Sequence, residues 1–156
     1  MTVKQQSTPA GDSPDRRAAM ESFSKAGRAE LQQAWDAIPS KPDVAPVRGP
    51  ETGLVMVRGR IGGGGGPFNL GEVTVTRASV RFPDGTIGHG QTLGTDREKA
   101  RLAAIFDAML QVPDLADHAR RLATAIAGRI EAEDREAARQ TAATRVDFFT
   151  MVRGED

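Results

Sequence analysis

Two short amphipathic helices are predicted at the start of the chain, after residues 1–12, which show no pattern. Ser13 followed by Pro14 is typical of a helix N-terminus, where an N-cap precedes a proline at the first helical position. Apolar residues at spacings of three and four then predict one helix behind Ser13 and a second over about 28–38. The prolines within residues 39–50 predict an extended connector after the second helix.

The middle of the chain changes to the alternating pattern of half-buried strands. Three such stretches follow one another, over 53–61, 73–82 and 86–93, and glycines weaken the third. The glycine run at 62–66 separates the first two, and residues 82–86 (FPDGT) have the composition of a tight turn. Parallel pairing needs a crossover of about a dozen residues or more, so these short connections predict an antiparallel meander.

Helical periodicity returns after the third strand. Residues 95–98 (TDRE) have the pattern of a capping box, and the helix behind them is predicted to end near Leu110, before Pro113. A further amphipathic helix follows, and the charged, alanine-rich residues 131–144 either extend it or begin another. The residues expected on the buried faces are Leu102, Ile105, Phe106, Met109, Leu115, Ala119, Leu122, Ala123, Ile126 and Ile130.

The last segment of the chain, over 145–153, returns to the alternation of a strand. Free chain ends are normally polar, and a stretch such as VDFFTMV would be prone to aggregation if it stayed unpaired. We therefore expect this segment to dock, either in its own sheet or against another chain. The candidate docking residues are Arg145, Phe148, Phe149, Met151 and Arg153.

These elements predict an α+β fold. We expect an N-terminal helix pair, an antiparallel sheet of about four strands including the C-terminal one, and two or three helices after the third strand. Residues 1–12 are expected to form a flexible tail. Residues 13–156 are expected to form one domain, since 156 residues are enough for one domain and few for two.

The composition excludes several classes of protein. The chain has no cysteine and only two histidines, which argues against disulfides, iron–sulfur clusters and cysteine- or histidine-rich metal sites. Lys plus Arg equals Asp plus Glu at 21 each, so no net charge attracts nucleic acid or a membrane surface. No apolar run approaches the roughly 20 residues of a membrane span, and the first residues lack a secretory signal, so a cytoplasmic protein is expected.

The hydrophobic core is expected to be thin for this length. Leu, Ile, Val and Phe together number 31, whereas alanine alone supplies 23 residues. A partner subunit could complete such a core. Alternatively, a GC-rich genome accounts for the alanine and for the 17 arginines against 4 lysines.

The glycine run contains neither of the common nucleotide-binding motifs. No Lys-Ser or Lys-Thr follows it, and Pro67 stands where a dinucleotide fingerprint starting at Gly62 requires its third glycine. Its consecutive N–H groups, including those of Gly63 and Gly64, could still form an anion-binding nest. The alternative is a flexible hairpin loop that becomes ordered against a partner.

Four arginines lie on the first two predicted strands, Arg58 and Arg60 on one and Arg77 and Arg81 on the other. Each pair stays on one face, because side-chain direction repeats every two residues. Guanidinium groups on one sheet face suit a phosphonate or a triphosphate, which arginine binds through two hydrogen bonds. The alternative is a solvated or interface face on which these arginines pair with Asp and Glu.

Four segments of the chain carry a resemblance to a known family. They are Glu51-Thr52-Gly53-Leu54, Thr76-Arg77-Ala78, Asp84-Gly85-Thr86 with Gly88, and RVDFFTMVRG at 145–154. Together, and above all through the terminal decapeptide, they closely resemble the PhnG subunits of the bacterial carbon–phosphorus lyase system. The similarity begins at about residue 17 and continues to the end of the chain, without a contribution from residues 131–144.

The resemblance implies a role in the catabolism of organic phosphonates. In that system PhnG, PhnH, PhnI and PhnL together attach methylphosphonate to the ribose C1 of MgATP, displacing adenine and forming α-D-ribose 1-methylphosphonate 5-triphosphate. PhnG, PhnH, PhnI and PhnJ form a core complex, in which PhnI is the expected direct partner. Other subunits later cleave the C–P bond by radical chemistry, and a chain without cysteine cannot hold an iron–sulfur cluster for that step.

The resemblance also implies that this chain is a non-autonomous subunit of a transferase complex. We expect it to be inactive alone and to bind no metal or cofactor itself, with MgATP as a substrate of the complex. PhnI is the better candidate for the transferase centre. Arg77 and Arg81 are our candidates for a contribution to that centre, on the basis of their shared strand face. The alternative is a purely structural assembly module.

Overall fold

The computed structural model describes residues 13–60 and 64–143. Its elements, in chain order, are α1 (Pro14–Lys25), α2 (Arg28–Asp36), β1 (Ala45–Arg60), β2 (Pro67–Arg81), β3 (Ile87–Leu93), α3 (Arg97–Met109) and α4 (Pro113–Ala143). Within the described residues this is the predicted α+β order of a helix pair, an antiparallel sheet and two further helices. The C-terminal strand expected over 145–153, and with it the fourth strand, lies outside the described residues, as does the tail over 1–12.

The predicted N-terminal helix pair is confirmed, with its start at the predicted cap. The Ser13 side chain accepts a hydrogen bond from the backbone N–H of Arg16 at 3.2 Å, which satisfies one of the free donors of the first turn. On the faces turned to the core, Phe23 of α1 and Leu31 of α2 are buried. Phe23 packs against Phe106 of α3, with ring centroids 5.6 Å apart, so the helix pair and α3 share one core.

The sheet is the predicted antiparallel meander, with strand order β1-β2-β3. The first strand begins at Ala45, so the connector expected over 39–50 was predicted to continue too far. Pro46 and Pro50 fall where the pairing with β2 shifts its register. Because β1 lies at the edge of the described sheet, a residue without an N–H group can be accommodated there.

The turn between β2 and β3 forms as its sequence predicts. Gly85 has φ of 87°, a conformation that glycine adopts at little cost. The backbone N–H of Phe82 donates to the carbonyl of Thr86 at 2.9 Å. The Asp84 carboxylate accepts from the backbone N–H of Thr86 at 2.9 Å, so the turn closes with its own side chain.

The glycines of β3 lie where α3 comes close to the sheet. A Cβ atom placed on Gly88 would lie 2.0 Å from the carbonyl oxygen of Ala104, and one placed on Gly90 would lie 2.3 Å from that of Ala100. Both alanines are completely buried. The glycines that weaken this strand in the sequence, and part of the alanine content, therefore serve a close contact between helix and sheet.

A buried ion pair connects α1, α3 and β3. Asp107 is completely buried, and it accepts hydrogen bonds from Nε and Nη2 of Arg16 at 2.7 Å each. It also accepts from the backbone N–H of His89 at 2.8 Å. Three donors therefore compensate the charge of this carboxylate, as a buried charge requires.

The last two helices correct the predicted capping box at 95–98. They also decide whether the charged residues after 130 extend the preceding helix or begin another. The N-cap of α3 is Asp96, whose side chain accepts from the Lys99 N–H at 2.9 Å, so the capping box expected from Thr95 is wrong. Glu98 instead binds Arg101. Residues 131–143 extend α4 and do not begin a new helix.

Arg129 connects α4 to α2 through its guanidinium group. It donates to Glu133 on the same helix at 2.7 Å and to Glu30 on α2 at 3.2 Å. These hydrogen bonds, first to Glu133 and then to Glu30, raise the pKa of Arg129 above its usual value. The ion pair between Arg129 and Glu30 holds this part of α4 next to α2.

Candidate functional site

The face of the sheet that points away from α3 carries the polar candidates, and we call it the outer face. In an antiparallel pair, residues directly opposite each other lie on the same face. Glu51, Arg77 and Gln91 therefore form one row across the three strands. Gly88 and Gly90 point to α3, so the odd-numbered residues of β3, including Gln91, belong to the outer face.

The next row of the outer face consists of Arg48, Ser79 and His89. One oxygen of the Glu51 carboxylate accepts a hydrogen bond from Nε of Arg77 at 2.9 Å and lies 2.9 Å from Nε of Arg48. The Ser79 hydroxyl and Nδ1 of His89 are 2.9 Å apart. We call these five residues the outer-face polar cluster.

A notch of about 220 Å³ adjoins this cluster at Gly53. Gly53 lies opposite Val75, one row beyond Glu51 and Arg77, and a Cβ atom placed on it would meet nothing within 4 Å. The residues lining the notch are Glu51, Thr52, Gly53, Leu54, Val55, Val75, Arg77 and Gln91. One side of the notch is therefore polar and the other apolar.

Beyond this notch β1 and β2 continue as a two-stranded ribbon, residues 54–60 and 67–74, because the seven residues of β3 end at Leu93. The ribbon exposes large apolar side chains, among them Leu54 (62%), Met56 (52%) and Leu70 (61%). Leu93, at the end of β3, is 71% exposed. A two-stranded hairpin is only marginally stable alone in water, so such a ribbon favours contact with another surface.

Both faces of the ribbon carry exposed apolar side chains. Val55 lies opposite Val73 on the outer face, whereas Leu54 and Met56 lie on the α3 side. A Cβ atom placed on Gly59 would meet the Leu70 side chain at 2.5 Å, so Leu70 covers Gly59 on the outer face. A partner that contacts one face alone would leave the other in water, so the ribbon suits insertion into a cleft.

The four candidate arginines lie in two separate places. Arg58 and Arg60 are exposed near the tip of the ribbon, opposite Asn69 and Pro67, and Nη1 of Arg60 donates to the carbonyl of Gly65 at 3.4 Å. Arg77 lies eight positions further along β2 than Asn69, which is roughly 26 Å of strand. The four guanidinium groups therefore do not form one cluster.

Of the other predicted site residues, the structure describes only Gly64. Gly64 lies in the turn between β1 and β2, at the exposed tip of the hairpin. Gly63 lies outside the described residues. The same holds for the five candidate docking residues of the C-terminal segment, Arg145, Phe148, Phe149, Met151 and Arg153.

Sequence reasoning identified Arg77 but missed its neighbours on the outer face. Arg48 lies in the segment that we predicted to be a connector, and only the register of β1 and β2 places it opposite Ser79. His89 falls within the third predicted strand, over 86–93, and the sequence pattern does not show that Ser79 is its neighbour. The spacing within a single strand does not predict these cross-strand contacts. They depend on how β1 is aligned with β2, and the register shifts in β1 change that alignment.

The described residues contain neither a metal-binding cluster nor a membrane-spanning helix. In residues 13–60 and 64–143, no group of three or more His, Asp and Glu side chains is placed to hold a metal ion. Within the same ranges no helix has the length and apolarity needed to cross a bilayer. The surface features that stand out are therefore the outer-face polar cluster, its notch and the ribbon.

Two motifs that are distant in the sequence meet in the sheet. The ETGL segment of β1 lies opposite the VTR residues of β2, with Thr52 paired to Thr76 and Glu51 to Arg77. The hydroxyl groups of Thr52 and Thr76 are 2.9 Å apart, and Thr76 also donates to the carbonyl of Gly94 at 2.8 Å. The segments that carried the resemblance in the central part of the chain thus define the polar end of the sheet.

Comparison with known proteins identifies the family. Residues 14–154 match the family model described as the phosphonate metabolism protein PhnG. A curated relative, the subunit PhnG of α-D-ribose 1-methylphosphonate 5-triphosphate synthase from Rhizobium meliloti (strain 1021), is 63% identical over 141 residues, which are 90% of each chain. The match to the family model includes β1 to β3 and the C-terminal segment through residue 154. The chain belongs to the PhnG family of phosphonate metabolism proteins.

Proposed function

We propose that this chain is a cytoplasmic subunit of the carbon–phosphorus lyase system. In that role it supports transfer of methylphosphonate to the ribose C1 of MgATP with displacement of adenine. The observation that carries this proposal is the 63% identity, over 90% of both chains, to a protein named as a subunit of α-D-ribose 1-methylphosphonate 5-triphosphate synthase. The ribbon supports it further, because a subunit needs a surface for its partners.

A complete transferase centre on the described residues of this chain would face water. The outer-face polar cluster is open to solvent, with the Glu51 and Arg77 side chains about half exposed. Transfer of a ribosyl group to a phosphonate competes with transfer to water, so the reacting centre must exclude water. We therefore propose that a partner subunit covers the reacting centre and that this chain is inactive alone.

The expected direct partner is PhnI, with PhnH and PhnJ in the same core complex and PhnL in the wider system. The ribbon supports a direct contact of this kind, since both of its faces expose apolar side chains and its tip carries Arg58 and Arg60. A matching cleft would have apolar walls and an acidic end. Such a cleft would also complete the thin core expected from the composition.

Charge placed on the ribbon should prevent assembly. We expect the double variant Leu54→Glu, Leu70→Glu to lose at least tenfold in co-purification with PhnI, PhnH and PhnJ, because two charges would then be buried in an apolar contact. The measurement is a pull-down of the co-expressed complex with a tag at Met1. Val47→Glu is the matched control, since Val47 is an exposed apolar residue of β1 outside the ribbon, at 45% exposure.

The control should assemble like the unchanged chain. Both side chains replaced in the double variant are more than half exposed, so the isolated variant should keep its helical circular dichroism. Normal assembly of a folded double variant would disprove the ribbon as the docking surface. If the double variant loses its helical signal, Met56→Glu alone, at 52% exposure, provides the same test with less disturbance.

The alternative function is a purely structural assembly module, and Arg77 and Arg81 distinguish it from a supporting role in the reaction. Arg77→Ala, Arg81→Ala should leave assembly intact, because both side chains lie on the outer face away from the ribbon. If the chain supports the reaction, this complex should release adenine from MgATP at least tenfold more slowly. Full adenine release by the assembled variant complex would leave the structural module as the function.

A further inference from the structure

We infer that the notch at Gly53 is a binding site for a small oxyanion with an apolar substituent, of the alkylphosphonate class. The inference rests on the proposed function for the choice of phosphorus chemistry. The site itself follows from three features of the outer face: its pair of arginines, its two unlike walls, and the missing side chain at Gly53. Each can be tested on the full chain.

Arg77 forms the cationic wall of the notch, and Arg48 lies beside it in the next row, on the same carboxylate. Each guanidinium group places Nε 2.9 Å from the same oxygen of Glu51, and this shared carboxylate holds the two arginines side by side against their mutual repulsion. A guanidinium group has five N–H donors, so the contact through Nε leaves the forked Nη groups for a second acceptor. Forked donors match the oxygens of a tetrahedral phosphorus oxyanion.

The charge of the outer face favours a dianion. Arg48, Arg77 and Arg81 lie in three successive rows of this face, and within the described residues the three strands place one carboxylate among them, that of Glu51. The His89 imidazole, bonded to Ser79, lies in the middle row. A phosphonate carries up to two negative charges and a carboxylate only one, so a cationic face of this kind favours the phosphonate.

The opposite wall of the notch is apolar. Val55 and Val75 line it, with Val75 directly opposite Gly53 and Val55 on the ribbon side of it. The alkyl group of an alkylphosphonate would contact these side chains while the phosphonate oxygens reach Arg77. Inorganic phosphate has the same tetrahedral oxygens without an apolar part, so it uses only one of the two walls.

The size of the notch depends on Gly53. Its volume of about 220 Å³ equals roughly seven water molecules at about 30 Å³ each, which suits a small alkylphosphonate. A Cβ atom at Gly53 would meet nothing within 4 Å, so a side chain can start there and would occupy this space. Valine also favours strand conformation, so Gly53→Val should close the notch without unfolding the sheet.

The test is a titration of the full chain with methylphosphonate, followed by phosphorus NMR at constant ionic strength. We expect the unchanged chain to bind methylphosphonate about fourfold more tightly than inorganic phosphate, the factor for one buried methyl group. Arg48→Ala, Arg77→Ala should weaken methylphosphonate binding at least tenfold. Gly53→Val should weaken it to a similar extent although it removes no charge.

The control variant is Arg58→Ala, Arg60→Ala, which removes two positive charges from the same hairpin but away from the notch. It should keep its affinity within about twofold, since exposed charges at that distance are screened by salt. If both double-arginine variants lose methylphosphonate affinity equally, the binding is general electrostatic attraction and the site is overturned. Unchanged binding by Gly53→Val would overturn the notch, and equal affinity for phosphate would overturn the apolar wall.

The result is distinguishable from a failure of the proposed function. Gly53→Val leaves the apolar side chains of the ribbon in place, so the variant should still co-purify with the partner subunits. If Gly53→Val assembles but does not bind methylphosphonate, both proposals stand. If the unchanged chain assembles and shows no methylphosphonate binding, alone or in the complex, this site is disproved while the subunit role remains.

Discussion

Replacing Asp107 with alanine should cost about 3–5 kcal/mol of folding free energy, the range for removing one partner of a buried ion pair. The carboxylate is completely buried and accepts both Nε and Nη2 of Arg16 at 2.7 Å. Its loss would remove a buried charged acceptor from Arg16 and the side-chain acceptor of the His89 N–H. Folded domains are stable by about 5–15 kcal/mol, so one side chain decides a large part of the total.

The measurement is urea unfolding followed by the fluorescence of Trp35, the single tryptophan of the chain. Asp117→Ala is the matched control, because Asp117 also pairs with an arginine but is 75% exposed. Its loss should stay below about 0.5 kcal/mol. Equal unfolding midpoints for the two variants would contradict the argument.

A graded variant guards against complete unfolding. Asp107→Asn keeps an oxygen that can accept the His89 N–H, and it loses the charge that balances Arg16. We expect its unfolding free energy to lie between those of Asp107→Ala and the unchanged chain. If Asp107→Asn is as unstable as Asp107→Ala, the charge alone carries the effect and the contact to β3 contributes little.

The helices and the meander could be predicted from local chemistry alone. Ser13 before Pro14, and the FPDGT turn with Gly85 at its positive φ, act within a few residues, so their effect is visible in the sequence. The cap of α3 was missed because Thr95 and Asp96 are both good N-caps, and only the backbone decides between them.

The site was only partly predictable, because register decides it. The alternation of β2 placed Arg77 and Arg81 on one face, which the structure confirms. It could not show that Arg58 and Arg60 lie at the far end of the ribbon, since the pairing partners of each residue are fixed by the hairpin and its register shifts. Arg48 was missed for the same reason.

The ribbon shows a further limit of pattern reading. The residues between 53 and 61 alternate in the sequence, and such alternation predicts one buried and one exposed face. In the described residues β3 ends at Leu93, and Leu54 and Val55 on opposite faces are both exposed. A sequence pattern reports which residues suit burial, and in a subunit the covering surface can belong to another chain.

The glycines of β3 should be as intolerant as Asp107, for a steric reason. Gly90→Ala would place its Cβ atom 2.3 Å from the Ala100 carbonyl oxygen and 2.6 Å from the Ala104 backbone nitrogen. Because both contacts are backbone atoms, no side chain can turn away, and α3 must move off the sheet. We expect a loss of about 3 kcal/mol, the upper part of the range for overpacking a core.

Gly53→Ala provides the matched control on the same sheet. It makes the same chemical change where a Cβ atom meets nothing within 4 Å, so it should be neutral or stabilise the chain by up to about 1 kcal/mol. A second variant distinguishes a clash with the backbone of α3 from a clash with its alanine side chains. Adding Ala104→Gly to Gly90→Ala should not restore stability, since the clash is with backbone atoms. Recovery in that double variant would show that the alanine methyl groups, and not the helix backbone, set the distance between α3 and β3.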